Sequence, residues 1–168
     1  MTHTVTEASG SAPLVDIITG LIGPSQEACC IAMRHFVEWR NRDEARKKAG
    51  SGCDEPAHIA DGVRVSTALS EAFAEVDRML VEADRLAGTM LGLLEQRGGL
   101  LVDMGVNPAH IDRDREQLTA MRETLRTRRK LLKPLADKAK TMPITLGELA
   151  FAVEAARSHA SGRTMQVH

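Results

Sequence analysis

A seven-residue beat that rises through one segment and returns through another constrains this chain more than anything else in it. Leu69, Phe73, Val76, Leu80, Ala83, Ala87, Met90 and Leu94 alternate steps of four and three. After a glycine-rich break, Ile111, Leu118, Met121, Leu125, Leu132, Leu135 and Ala139 resume the same beat. Apolar spacing sustained near one residue in 3.5 keeps one helix face turned to a partner helix. The pattern predicts an all-α fold: a long antiparallel, coiled-coil-like helical hairpin over residues 55–141, with flanking helices that complete a helical bundle.

The core has to be aliphatic, because aromatic residues make up only 2% of the chain against 43% hydrophobic residues overall. Leu, Ala and Met favour helices, whereas sheets draw on aromatic and β-branched residues. With 168 residues, one domain can bury a real core. We expect that domain over residues 13–162, with residues 1–12 and 163–168 as mobile tails. A formal net charge of −1 excludes a global field towards nucleic acid or a membrane surface. Arg far outnumbers Lys, a bias of GC-rich bacterial genomes.

The start, MTHTVTEASGSAP, shows neither the basic nor the apolar region of a cleavable signal. No apolar run approaches the roughly 20 residues of a transmembrane segment. Cys29 and Cys30 are neighbours, which a helix points about 100° apart, so reduced thiols in a cytoplasmic setting are the simpler expectation. Export without a cleaved signal stays open.

Leu14 to Ile22 reads as a two-turn helix closed by Gly23-Pro24, with Ser25 as the N-cap of a second helix running to about Lys48. Ala28, Ile31, Ala32, His35, Phe36 and Trp39 would form that helix's apolar face. Its charged end, EWRNRDEARKK, is expected to project into water, laced by the pairs Glu38/Arg42, Asp43/Lys47 and Glu44/Lys48. The first hairpin arm would begin near Pro56, capped by Asp54 or Asp61, and end at Gly98-Gly99. Asn107 and Pro108 open the second arm. Pro134 should kink or divide that arm and Met142-Pro143 should end it, leaving a last helix opened by the Thr145/Glu148 capping box.

Charge gives the hairpin a register. A turn near residues 102–103 sets Phe73 opposite Leu132, Leu80 opposite Leu125, Ala87 opposite Leu118 and Leu94 opposite Ile111. Acidic residues 71–84 (Glu71, Glu75, Asp77, Glu82, Asp84) then face basic residues 121–134, among them Arg122, Arg126, Arg128, Arg129, Lys130 and Lys133. Complementary flanks select register even where each exposed pair adds only about 0–1 kcal/mol.

The basic run Arg126, Arg128, Arg129, Lys130 and Lys133 is a candidate phosphate-backbone site. It lacks aromatic residues for base stacking, and answering the acidic flank is the plainer role. The C-terminal TLGELAFAVEAARSHASGRT enters like a helix-turn-helix but is too short afterwards to read a groove. Cys29, Cys30, His35, Cys53 and His58 lack paired metal-ligand spacing, and Glu55-x-x-His58 lacks the second motif of a di-metal bundle. Buried inert thiols and solvent-facing histidines are expected, with no cofactor, no metal and no catalytic residue.

The remaining signal is the hairpin end. Gly88 and Gly92 have the spacing of close helix approach, and Leu93, Leu100, Leu101 and Met104 make this end unusually apolar. It is either covered by another part of the chain, the favoured reading, or bare for a partner. A rod of about 30 residues per arm, some 45–50 Å long, offers surface and few pockets. The sequence therefore points to a non-catalytic protein-protein interaction or assembly module: an adaptor, scaffold or secreted structural component. Its partner would be another protein or itself, a dimer above all, with no small-molecule substrate. A nucleic-acid-binding regulator using residues 126–140, and then a metal-dependent helical-bundle enzyme, are the alternatives.

Overall fold

The computed structural model of the chain describes residues 14–50 and 55–164, with side chains as far as Ala152. The expected N-terminal tail, Cys53 and most of the expected C-terminal tail lie outside the described residues. Three helices account for nearly all the rest: α1 (Leu14–Lys48), α2 (Pro56–Asp103) and α3 (Pro108–Thr164). No strand occurs among the described residues.

The middle helix organises the bundle. Leu69, Phe73, Val76, Leu80, Ala83 and Ala87 are all buried, so the heptad positions read from the sequence do form the core. They share one cluster with Leu118 and Leu125 of α3 and with Ile18, Ile22 and Cys29 of α1. Ile18 and Leu118 are fully enclosed at 0% exposure, each contributing about 1.5–3 kcal/mol of burial. Ion pairs from α2 to α3 run in opposite chain directions, Asp77 to Arg129 and Asp84 to Arg122. Arg115 also reaches back to the Leu94 carbonyl. That order is the antiparallel one. It agrees with the register expected from charge.

The helices are longer and less interrupted than the sequence suggested. Helix α2 has 48 residues, about 72 Å at the standard rise, and continues straight through Gly98-Gly99. It stops instead at Gly105, whose φ of +94° suits a residue without a Cβ. There Gly105 N donates to the Val102 carbonyl and Val106 N to the Leu101 carbonyl, both at 2.9 Å, which satisfies the helix end. Much of the apolar "loop" is therefore helix, and only Met104–Asn107 turns the chain. The expected cap at Asn107 is present, its Oδ1 accepting from Ala109 N at 2.9 Å. Glu55, rather than Asp54 or Asp61, occupies the position before α2.

Prolines break neither outer helix. Pro24 sits inside α1, and Pro134 and Pro143 inside α3. Each interior proline costs about 3 kcal/mol; around Pro24 and Pro134 the burial of Ile22, Ser25 and Ala136 offsets that cost. Ser25 consequently does not cap; it is buried, and its hydroxyl donates to the Ile22 carbonyl at 2.8 Å. Thr145 likewise donates to the Thr141 carbonyl within the helix instead of opening a capping box. Beyond Pro134 the buried position is Ala136, not Leu135, which is 55% exposed.

The inward face of α1 is a stripe in 4-3 steps: Ile18, Ile22, Ser25, Cys29, Ala32, Phe36 and Trp39. Ala28, Ile31 and His35, expected on this face, are exposed. They lie one position, or 100°, around the helix from it. The charged end does not project freely either. Trp39 stacks on the His58 ring with centroids 5.3 Å apart and donates its Nε1–H to the His58 carbonyl at 3.1 Å. His58 is buried, not solvent-facing, and its Nε2 lies 3.0 Å from Asp43 Oδ1. Arg42 pairs with Asp61 and Arg46 with Glu55, so this clasp fixes the end of α1 across the start of α2. Of the expected pairs along α1, Asp43–Lys47 forms, while Glu38 turns to His35 and Glu44 to Arg40.

Two outcomes follow from the clasp. A Cβ on Gly62 would stand 2.7 Å from Trp39 Cε2. Gly62→Ala should therefore cost about 1–2 kcal/mol net of its helix-propensity gain, while Gly92→Ala, with open space around it, should stabilise by up to about 1 kcal/mol. Urea denaturation reads both. Partial burial raises the Asp43 pKa, but the hydrogen bonds and charges of Lys47 and His58 outweigh it and hold the carboxyl below its ordinary value. A folded pKa below the unfolded one stabilises above the unfolded value, near 3.9, and this stability is lost as pH falls through the depressed value. Asp43→Asn should lower stability at neutral pH and flatten the loss on acidification to about pH 3, measured by urea midpoints at both ends.

Candidate interaction surface

The charge match between the long helices is carried by very few residues. Arg115, Arg122 and Arg129 stand seven apart on α3 and all turn towards α2. Arg122 Nε lies 2.8 Å from Asp84 Oδ1 and Arg129 Nε 2.7 Å from Asp77 Oδ1, the two aspartates being seven apart as well. Glu75 and Glu82, expected to face α3, pair within their own helix with Arg78 and Arg85. Gly88 and Gly98 leave room for the guanidinium groups of Arg122 and Arg115. Gly88 therefore receives a side chain rather than a crossing backbone, and Gly92 has nothing near it. The Arg-x6-Arg-x6-Arg spacing was visible in the sequence, hidden among the other charges of the run.

Of the named basic residues, Arg126 and Arg129 are engaged in this seam and Lys133 pairs within its own helix. Arg126 also reaches Asp84, at 3.4 Å, Arg129 holds Asp77, and Lys133 pairs with Asp137 at 3.1 Å. Arg128 and Lys130 have no ion-pair partner among the described residues. Arg126, Arg129, Lys130, Lys133 and Lys140 line a groove of about 570 Å³ with Asp77, Asp137, Ala74 and Ala136. Partial burial pushes the Asp84 pKa up, but the Arg122 hydrogen bond and charge, with help from Arg126, bring it below the ordinary value.

The candidate metal and thiol residues do not converge. Cys29 is in the core, where burial first and its neighbour Cys30 second push its thiol pKa up. Cys30 is exposed, contrary to the expectation of buried thiols. His35 is exposed beside Glu38, and His58 is held by Asp43 and Trp39. Among the described residues no group of three or more His, Cys, Asp or Glu could hold a metal ion.

The hairpin end is where the structure leaves apolar surface bare. Counting back along the antiparallel α1 and α2 from Arg46–Glu55 and from Trp39–Gly62 brings Leu14 level with about Ala87. The α2 stripe that begins at His58 and Gly62 continues in 4-3 steps through Val65, Leu69, Val76 and Ala83, all buried. Past the start of α1 the same stripe gives Leu93, Leu100 and Met104, at 54%, 51% and 73% exposure. Leu101 is half-buried and Gly92 partly open. The favoured expectation, that another segment covers this end, is not met among the described residues.

Helix α1 bears on the expectation that no segment spans a membrane. By length and composition it is apolar enough to cross a membrane through one 18-residue window, of which 22% is buried. Its exposed Ile17, Leu21 and Ile31 account for this, while Ile18, Ile22 and Cys29 face the core. No family model, curated protein or solved structure matches the chain.

The arginine seam makes a measurable claim. A double-mutant cycle of Asp84→Ala and Arg122→Ala should give a coupling of about 0.5–1 kcal/mol in urea unfolding, whereas Arg128→Ala and Lys130→Ala should each stay within about 0.5 kcal/mol of the parent.

Proposed function

We propose that the protein is a non-catalytic interaction or assembly module that works through its hairpin tip. One observation carries this reading: the stripe on α2 that α1 buries continues for more than one heptad past the start of α1 as exposed Leu93, Leu100 and Met104, with Arg97 among them. A stripe built for a helix and left without one is the arrangement of a docking face. The residues that could support chemistry serve packing instead, with His58 and Asp43 holding α1 to α2 and Cys29 lying in the core. The alternative of a nucleic-acid-binding regulator is weakened because Arg126, Arg129 and Lys133 are already paired with aspartates. Free thiols at Cys29 and Cys30 fit a reducing, cytoplasmic setting.

Site-specific photo-crosslinking in the native host tests this. A photoreactive residue in place of Leu93 or Leu100 should give a discrete protein adduct, and one in place of the exposed Glu116 should not. With the photoreactive residue at Leu93, Leu100→Glu should sharply weaken the adduct, and Leu93→Glu should do the same for a photoreactive residue at Leu100, each changing unfolding by no more than about 0.5 kcal/mol, as exposed positions do. Adducts absent from both leucine positions would remove the tip from consideration.

A further inference from the structure

We infer that the occupant of the tip is a second copy of this chain, laid antiparallel across it about a two-fold axis; this rests on the tip being a docking face. The first argument is continuity with the interface α1 already makes on α2. A helix that follows α1 along the stripe must present mainly apolar residues in 4-3 steps, as the stripe itself does from Leu93 to Met104 with Arg97 its one charged position. The chain's own residues upstream of α1 do not supply this, since Ser11, Ala8 and Thr4 fall at those steps. The tip of another copy does.

The second argument is charge. Arg97 lies on the stripe between Leu93 and Leu100, Asp103 is beside its far end, and neither has an ion-pair partner among the described residues. A two-fold axis near residues 98–99 brings Leu93 opposite the partner copy's Met104, and Leu100 opposite the aliphatic stem of the partner copy's Arg97. It also brings each guanidinium within reach of the partner copy's Asp103. The patch is thus its own complement, the condition for an isologous dimer. Gly92 and Gly99 on the flank, with nothing near them, let the second helix approach.

Among the described residues nothing obstructs this geometry. The overlap of residues 93–104 covers about 17 Å of helix. The partner's tip then ends near Leu14, where α1 begins, and its body extends away from the first copy. An interface this short lies at the low end of specific complexes, below about 600 Å² per partner, the range of weak and transient association.

Sedimentation velocity of the full chain across micromolar concentrations tests the inference. The parent should pass from monomer to dimer, and Leu93→Glu with Leu100→Glu should stay monomeric with unchanged helical circular dichroism. Arg97→Asp alone and Asp103→Arg alone should each weaken the dimer about tenfold, and the two together should restore most of the loss. A dimer indifferent to the leucine substitutions, or one that the charge exchange fails to restore, overturns the inference. A parent that is monomeric throughout overturns it too. If crosslinks at positions 93 and 100 then lead to a different protein, the docking reading survives and only the second copy is excluded.

Discussion

The structure depends on one helix being buried along two lines at once. On α2 the stripe through Phe73, Leu80 and Ala87 belongs to α3, and the stripe through Gly62, Val65 and Leu69 leads under α1. Because both repeat every seven residues, two helices can lie along the full face of a third without drifting off it. Helices α1 and α3 touch each other much less than either touches α2. The architecture is therefore α2 with a helix on each of two faces, and α2's length sets how far each contact can extend. Since α3 runs along all of α2 and α1 ends near the level of Ala87, the bundle has a three-helix body and a two-helix tip.

That unequal cover connects packing to the proposed role. Within the body, uncovered apolar residues stand among charges, as Val81 and Leu131 do, or on the outer side of α1, as Ile17, Leu21 and Ile31 do. At the tip they continue a line that elsewhere forms the core. The arginine seam explains why this end still stands as a defined hairpin. Arg115 anchors α3 to the Leu94 carbonyl at 2.9 Å beside Gly98, and Ile111 is buried there too. The tip is thus rigid on its α3 side and bare on its α1 side. A preformed face of this kind loses less freedom on docking than a flexible loop would.

Reading the chain without its structure succeeded where a pattern was long and failed where it was local. The heptads of α2 and α3 run over many turns, and their register followed from pooled charge. Single-residue signals misled. Pro24, Pro134, Pro143 and the Gly98-Gly99 pair looked like ends, yet the helices run on through each, and around Pro24 and Pro134 buried neighbours offset a local cost of about 3 kcal/mol. The face of α1 was misread by one position because Ala28, Ile31 and His35 form a second plausible stripe beside the true one. His58, taken for a surface residue, became a buried link between two helices through Trp39 and Asp43.

By itself the sequence determined the helical class, the long pairing of α2 with α3, the Asn107 cap, the prolines that open α2 and α3, and the apolar character of the tip. Those follow from periodicity and from residue chemistry that acts within a turn or two. Only the tertiary structure decided which side of α1 faces inward, that Gly62 exists to admit the Trp39 indole, and that Arg115, Arg122 and Arg129 form the seam. It alone decided that, among the described residues, α1 begins short of the level of Leu93. Each of these depends on which surfaces meet across long sequence separations. Burial is a property of the pair of surfaces, so no single helix contains it.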